Sequence, residues 1–158
     1  MRVLDITAAL LAAFVLQTVL GRYLPFLGVY LDLFTVVAAG FGLARGRIAG
    51  LVSGASAGLL QDAFSGGLLG FNGISKTTVG YLSGIAGRHL IIRGWWTRIL
   101  FFAVATLLDL LILALVGYAA ELPRVMGEGF APLYLCIGNA FAGILLMRAL
   151  ERRPPGEL

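Results

Sequence analysis

The sequence predicts an all-α polytopic membrane protein with six transmembrane helices and both termini in the cytoplasm. Of its 158 residues, 59% are hydrophobic and only 13% are charged, whereas about a quarter of the residues of a soluble domain are charged. A chain of 16.7 kDa cannot bury so much apolar surface in one core, because a small domain leaves much of its surface in water. The composition excludes a soluble globular enzyme and a disordered chain, and it favours a protein solvated by the bilayer.

Six apolar stretches are each close to the roughly 20 residues that cross about 30 Å of hydrocarbon. Spans two, three and five each contain one aspartate, and span four contains Lys76. We expect one six-helix transmembrane domain over residues 1–150 and a short cytoplasmic tail at residues 151–158. The six predicted spans are residues 4–20, 28–44, 48–64, 73–90, 99–119 and 130–149.

The arginines determine the predicted orientation. With the N-terminus in the cytoplasm, nine arginines fall on the inner side, whereas Arg22 and Arg124 fall on the outer side with Lys76 near the outer end of span four. Such asymmetry in short loops is typical of the positive-inside rule. It explains a sequence pI near 9.7 without a nucleic-acid partner. The nine inner arginines are Arg2, Arg45, Arg47, Arg88, Arg93, Arg98, Arg148, Arg152 and Arg153.

Motifs of enzyme chemistry are absent from the sequence. There is no P-loop, dinucleotide fingerprint, H-E-x-x-H motif or carboxylate cluster with metal-ligand spacing, and the lone Cys136 excludes a thiolate metal site. Residues 54–58 match G-x-S-x-G, but a nucleophile elbow needs a strand and a strained turn, and this match lies within a helical span. An intramembrane serine protease would also need a base, and His89 lies at the cytoplasmic end of span four. We therefore predict no catalytic residue, metal or cofactor.

Glycines recur at helical spacing in spans three and four. This spacing leaves one face of each helix almost without side chains, so that a neighbouring backbone can approach closely. The strips indicate either tight packing between spans of this chain or a groove for a helix of a partner protein. They consist of Gly50, Gly54 and Gly58 in span three and of Gly80, Gly84 and Gly87 in span four.

Ionisable residues inside the spans form the candidate site. A charge at the centre of a spanning helix costs about 2.5 to 3.5 kcal/mol on insertion scales, so each one needs a reason. Asp32, Asp62 and Lys76 are predicted to lie at similar depth in the outer half of the membrane. We expect Lys76 to pair with Asp62, Asp32 or both. Such a pair either neutralises itself and determines how spans two to four pack, or it forms a ligand or proton site.

Asp109 differs because it lies in the middle of span five with no evident cation at that depth. We expect it to be protonated, or to bond a hydroxyl group or Asn139 of span six. The connector between spans three and four, residues 65–73, has no charge and is expected to fold against the bundle. Its candidate residues are Gly66, Gly67, Gly70 and Asn72.

Three motifs in residues 57–84 lead to a resemblance. They are AGLLQD at residues 57–62, SGGLLG at residues 65–70 and VGYLSG at residues 79–84. They resemble the G-L-L-x-D, connector and G-Y-L-x-G pattern of the bacterial rod shape-determining MreD family. A second match is LDL at residues 31–33, followed by ARG at residues 44–46, although family members usually have proline where this chain has Leu31. The specific likeness covers residues 31–84, and the chain agrees with the family in length, span number and orientation.

The resemblance implies a non-enzymatic membrane scaffold of the cell-elongation machinery, which makes lateral peptidoglycan at the bacterial cytoplasmic (inner) membrane. The chain would bind MreC and help to connect MreB filaments, indirectly, to RodA and its penicillin-binding transpeptidase. The family fold is similar to the substrate-binding component of energy-coupling-factor transporters, so the alternative function is binding of a small molecule such as a vitamin. A vitamin site needs aromatic and hydrogen-bonding groups around a cavity, whereas the outer halves of spans two to four offer mostly Leu, Ala and Gly.

Overall fold

The computed structural model describes residues 3–24, 30–66, 68–90, 92, 94–121 and 130–151, and every regular element within them is an α-helix. The first, fifth and sixth helices are long and apolar enough to cross a membrane. The all-helical class is therefore confirmed, and the apolar helices support a membrane protein. The helices are α1 (Val3–Tyr23), α2 (Leu33–Arg45), α3 (Arg47–Ser65), α4 (Phe71–His89), α5 (Trp95–Ala119) and α6 (Ala131–Glu151).

The second helix starts later than the sequence predicts. Span two was expected from residue 28, but α2 begins at Leu33 because Asp32 caps it: the carboxylate of Asp32 accepts hydrogen bonds from the backbone N–H groups of Phe34 and Thr35. Residues 28 and 29 lie outside the described residues. The helix is therefore only 13 residues long, whereas the other five predicted spans agree with observed helices to within four residues.

Helix α2 occupies the centre of the bundle. Every residue from 33 to 42 is buried, and α2 contacts each of the other five helices. One side of it packs against Ile6 and Leu10 of α1, and the other side packs against Phe102 of α5 and Met147 of α6. A short helix can occupy this position because its neighbours, not lipid, surround it.

Helices α2, α3 and α4 pack backbone against backbone. Gly46 alone joins α2 to α3 with a φ of +92°, a conformation that side-chain-bearing residues rarely adopt. Each glycine of the α3 strip lies so close to a carbonyl oxygen of α4 that a Cβ atom there would overlap it. The strips are thus covered within the chain, so they leave no groove for a partner helix. The facing pairs are Gly50 and Gly80, Gly54 and Lys76, Gly58 and Asn72, and Gly84 and Arg47.

Helices α5 and α6 form a second hairpin that packs through side chains. The ring of Phe102 on α5 covers Gly143 on α6. The outer face of α5 carries large exposed apolar side chains, including Leu107, Leu111 and Leu115. This face is suited to contact with acyl chains or with another apolar helix.

Basic residues concentrate at one end of the bundle. Arg45 Nη2, at the end of α2, lies 2.8 Å from Asp5 Oδ2, at the start of α1. Arg98, at the start of α5, pairs with Glu151, at the end of α6. In the described ranges this end holds five arginines and two carboxylates. Arg2, Arg93, Arg124, Arg152 and Arg153, which also entered the predicted orientation, lie outside those ranges. The five arginines are Arg45, Arg47, Arg88, Arg98 and Arg148.

Candidate functional site

Lys76 lies at the centre of a buried polar cluster. Its side chain is 0% exposed, and its Nζ atom lies 2.9 Å from Asp32 Oδ2 and 3.3 Å from Asp109 Oδ2. It also donates to Asn72 Oδ1 at 3.3 Å. A lysine ammonium group has three protons, so these three acceptors satisfy it completely.

Local structure positions each member of this cluster. Asp32 uses Oδ1 to cap α2, at 3.1 Å from the backbone nitrogens of Phe34 and Thr35, and this leaves Oδ2 for Lys76. Lys76 lies in the second turn of α4, and Asp109 lies on the buried face of α5. The cluster therefore joins three helices that are far apart in the sequence.

Hydroxyl groups connect the two carboxylates. Thr35 Oγ1 lies 3.0 Å from Asp32 Oδ2 and 2.9 Å from Asp109 Oδ2. Ser75 Oγ lies 3.0 Å from the backbone oxygen of Asp109 and also makes a short contact with Asp109 Oδ1. These hydroxyls give the carboxylates polar partners that replace water in the interior.

Asn139 extends the network to α6. Its Oδ1 atom accepts a hydrogen bond of 2.8 Å from the backbone N–H of Asp32, and its Nδ2 atom donates to Thr106 Oγ1 at 3.1 Å. On the opposite side of α2, Gln17 of α1 accepts from the N–H of Leu33 at 3.0 Å. The N-terminus of α2 is thus held by side chains of two other helices, which helps to explain why so short a helix is stable at the centre.

The observed partners of Lys76 decide between the expected alternatives and correct one expectation. Of the pairings expected for Lys76, with Asp62, Asp32 or both, the structure shows the one with Asp32, and Asp62 is not a salt-bridge partner. Asp109, for which we expected no cation, is the second carboxylate partner of Lys76. It bonds hydroxyl groups as expected, whereas Asn139 bonds Asp32 and Thr106 instead. The reason is the rotation of α5 about its axis, which turns Asp109 towards α4.

Asp62 has a separate role as the anchor of the connector. Its buried carboxylate accepts from the backbone N–H groups of Gly70, Asn72 and Gly73 at 2.8, 3.0 and 3.1 Å, and from the Asn72 side-chain amide at 2.8 Å. The first N–H groups of a helix have no partner within the helix. Asp62 supplies that partner for α4, and it is closer to these groups than to Lys76.

The connector itself depends on glycine at its two ends. Gly66 ends α3 with a φ of +67°, and Gly70 precedes α4 with a φ of +96°. Leu68 and Leu69 are exposed, so the connector is attached to the bundle through its backbone and Asp62 rather than through these side chains. Gly67 lies outside the described residues.

Sequence reasoning did not identify the hydroxyl residues Thr35, Ser75 and Thr106 or the capping residue Gln17. One signal was present, since Thr35 follows Asp32 by three residues, which is the spacing of a helix cap. The contacts of Ser75, Thr106 and Gln17 run between helices and leave no local pattern. Their detection requires the tertiary arrangement.

The cluster is closed and internally satisfied. Of the buried side-chain polar atoms in the described ranges, those without a hydrogen-bond partner are Gln61 Oε1 and Arg98 Nε, and neither belongs to the cluster. An apolar groove of about 450 Å³ between α4 and α5 is lined by residues such as Leu82, Leu100 and Val104, with no cluster residue among them. Across the described residues, no group of three His, Cys, Asp or Glu side chains could hold a metal ion.

The serine of the G-x-S-x-G match, Ser56, lies within the continuous helix α3, so the turn of a nucleophile elbow is not formed there.

No family model matches this chain, and no curated protein or solved structure gives a significant match. The resemblance of residues 31–84 to the MreD family therefore stays a prediction.

Proposed function

We propose that the chain is a six-span protein of the bacterial cytoplasmic membrane and a non-enzymatic scaffold of the machinery that makes lateral peptidoglycan. The observation that carries the scaffold role is the closed cluster around Lys76, in which the lysine is fully buried and each of its protons has an acceptor within the chain. A component that binds a small molecule needs polar groups left free to meet its ligand. This cluster uses its polar groups to hold helices together.

The charges at the two ends support the proposed orientation. Five described arginines and two carboxylates lie at the end that contains Asp5 and Glu151, whereas the opposite end contains Arg22, Asp62 and Glu121. Cytoplasmic ends of membrane proteins carry an excess of arginine and lysine. We therefore propose that the arginine-rich end, which contains the first turn of α1 and the last turn of α6, faces the cytoplasm.

The lengths and burial of α3 and α4 support six spans. Each helix has 19 residues, or about 28 Å at 1.5 Å per residue, which is close to the thickness of the hydrocarbon core. Apart from Arg47 and Arg88 at the arginine-rich end, the charged residues of these helices are Asp62 and Lys76, and both are buried, so these polar groups do not face lipid. Helix α2 is shorter, but protein surrounds it, so it does not have to match the bilayer by itself.

The motif residues of the resemblance take structural positions in this bundle. Asp62 anchors the connector, Gly58 and Gly80 allow α3 and α4 to touch, and Asp32 caps α2 while it pairs with Lys76. A pattern used for rigid packing is consistent with a scaffold. The nature of the partners comes from the resemblance alone: MreC, RodA with its penicillin-binding transpeptidase, and MreB indirectly.

Depletion of the protein in its host bacterium tests this function. We expect rod-shaped cells to become spheres, because lateral wall synthesis loses a membrane component. We also expect tagged protein to retain MreC during purification from solubilised membranes, with an unrelated six-span protein as the control. If depleted cells stay rods and instead require an external vitamin, the proposal is wrong and the transporter alternative is supported.

A further inference from the structure

The apolar groove between α4 and α5 begins at the arginine-rich end of the bundle. Its volume is about 450 Å³, and its lining on α5 extends from Thr97 to Leu108. Leu108 follows Thr97 by eleven residues, which corresponds to about 16 Å at 1.5 Å per residue. One leaflet contributes about 15 Å to a hydrocarbon core of about 30 Å. The groove therefore has the length of the acyl-chain region of one leaflet.

A second cavity, of about 410 Å³, adjoins this groove. Leu90 and Ile92 line both cavities, so the two lie side by side. The charged residues among the described lining of the second cavity are Arg88, Arg98 and Glu151, two cations and one anion, which leave a net charge of +1. The groove offers mostly apolar side chains, whereas the second cavity offers charge. A molecule with an apolar chain and one negative charge is complementary to the two cavities together.

Both arginines of the second cavity retain N–H groups that the described residues do not use. Arg98 donates to Glu151 through its two terminal nitrogens, and its buried Nε–H has no acceptor among the described residues. Arg88 is exposed, and no carboxylate of the described ranges lies within salt-bridge distance of it. A planar guanidinium group can donate to two phosphate oxygens at once. The chemistry of the second cavity therefore suits a phosphate group.

Two tryptophans indicate the depth of this end of α5 in the membrane. Trp95 and Trp96 are the first two residues of α5, and both side chains are exposed. Tryptophan is enriched at the level of the lipid headgroups, where the membrane meets water. Arg98 belongs to the same helical turn, so it lies at the depth of lipid phosphates. The remainder of the groove, towards Leu108, lies at the depth of acyl chains.

We infer that the two cavities form a binding site for one anionic phospholipid. Its phosphate group accepts hydrogen bonds from Arg88 and Arg98, and one acyl chain lies in the groove beside Leu100 and Val104. A zwitterionic phospholipid fits less well, because its own cation is brought close to the two arginines. The bound lipid joins α4 to α5. This inference goes beyond the scaffold function and requires only that the chain is a membrane protein.

Native mass spectrometry of the full chain, purified in an alkyl maltoside, tests the site. The probes are phosphatidylglycerol and phosphatidylcholine with identical acyl chains, added in equal amounts. We expect one phosphatidylglycerol to bind per chain, with an apparent Kd about fivefold lower than that of phosphatidylcholine. Equal affinities for the two lipids would contradict the inference. A second copy of the chain that binds in place of the lipid would contradict it as well.

Two matched pairs of variants test where the lipid binds. Arg88→Gln should raise the apparent Kd for phosphatidylglycerol about fivefold, because it removes one cation from the second cavity. Arg47→Gln is its control, since Arg47 is also exposed at the arginine-rich end but is not among the described residues that line the two cavities. Ala86→Phe should fill the groove and weaken the binding of both lipids, whereas Ala12→Phe on the exposed face of α1 should not.

The two pairs of variants can each overturn the inference. Equal effects of Arg88→Gln and Arg47→Gln would show that the phosphate does not lie in the second cavity. Unchanged lipid binding in Ala86→Phe would show that the acyl chain does not lie in the groove. Arg88→Gln changes an exposed side chain, so the first pair keeps the test decisive if Ala86→Phe does not fold.

Discussion

The α2–α3–α4 core and the α5–α6 hairpin solve the same packing problem in different ways. In the core, glycines bring backbones into contact, as where Gly54 faces the carbonyl group of Lys76. In the hairpin, the ring of Phe102 fills the space over Gly143. Asp32, Asp62 and Lys76 all belong to the core or its edge, whereas Asp109 is the residue that the hairpin contributes to the buried charges.

The comparison shows that backbone contact and buried charge occur together. Close approach of α2, α3 and α4 places Asp32 Oδ2 2.9 Å from Lys76 Nζ and buries the Lys76 side chain fully. The geometry of the hairpin is less strictly constrained, because contact of its exposed leucines with lipid is as favourable as contact with another helix. We therefore expect substitutions to be most harmful at Lys76 and its partners, then at the glycines of the core, then at Asp62 beside the connector, and least harmful at the surface.

Lys76→Met should have the largest effect. It leaves Asp32 and Asp109 without their cation, and removal of one partner of a buried ion pair costs about 3–5 kcal/mol of the free energy of unfolding. Denaturation in mixed micelles of maltoside and dodecyl sulfate measures this change. Asp32→Asn in the same chain should restore part of the loss by removing the unpaired charge. A Lys76→Met variant as stable as the parent would show that the cluster contributes nothing to the fold.

Gly54→Leu should come next. Its side chain would meet the backbone of Lys76 and Thr77, which cannot move without shifting α4, so we expect a loss of about 1–3 kcal/mol or more. Gly21→Leu on α1 is the matched control, because a Cβ atom at Gly21 has no neighbour within 4 Å. Thermal melting of both variants measures the difference. Equal melting temperatures would mean that the glycine contact is not needed.

Asp62→Ala should have an intermediate effect through the connector and not through Lys76. The N–H groups of Gly70, Asn72 and Gly73 lose their acceptor, at a cost of about 1–3 kcal/mol. Faster amide hydrogen exchange at these residues is the specific measurement. A double-mutant cycle with Lys76→Met should give only a small coupling energy, because Lys76 and Asp62 share Asn72 as a partner but do not pair with each other. A large coupling energy would instead support direct pairing of Lys76 with Asp62, which was one of the alternatives expected from the sequence.

Glu151→Gln should have the smallest effect. The pair of Arg98 with Glu151 links α5 to α6, but the Glu151 side chain is 53% exposed, and exposed pairs contribute about 0–1 kcal/mol. Stability measured in low and high salt should differ little between this variant and the parent. A loss as large as that of Lys76→Met would remove the distinction between the buried charges and the surface.

Asp62 and Asp109 illustrate which parts of the site can be predicted from the sequence. Asp62 and its acceptor role are local, since its partners lie eight to eleven residues away across a glycine connector that ends at a helix N-terminus. That role was open to prediction from the unpaired N–H groups of α4. The contact between Lys76 and Asp109 spans 33 residues and depends on how α5 is rotated. The limits of the spans along the sequence do not tell how each helix is rotated about its axis.

The sequence by itself determined the helical class, the approximate limits of the helices and the glycine strips, because apolar length and residue size act locally along one chain. The tertiary structure alone decided which carboxylates meet Lys76, which hydroxyls join them, and that α2 is a short central helix. The physical reason is that hydrophobicity determines the depth of a residue in the membrane but does not determine how its helix is rotated about its axis. Only the packing of all six helices removes that freedom, and it places the charges together.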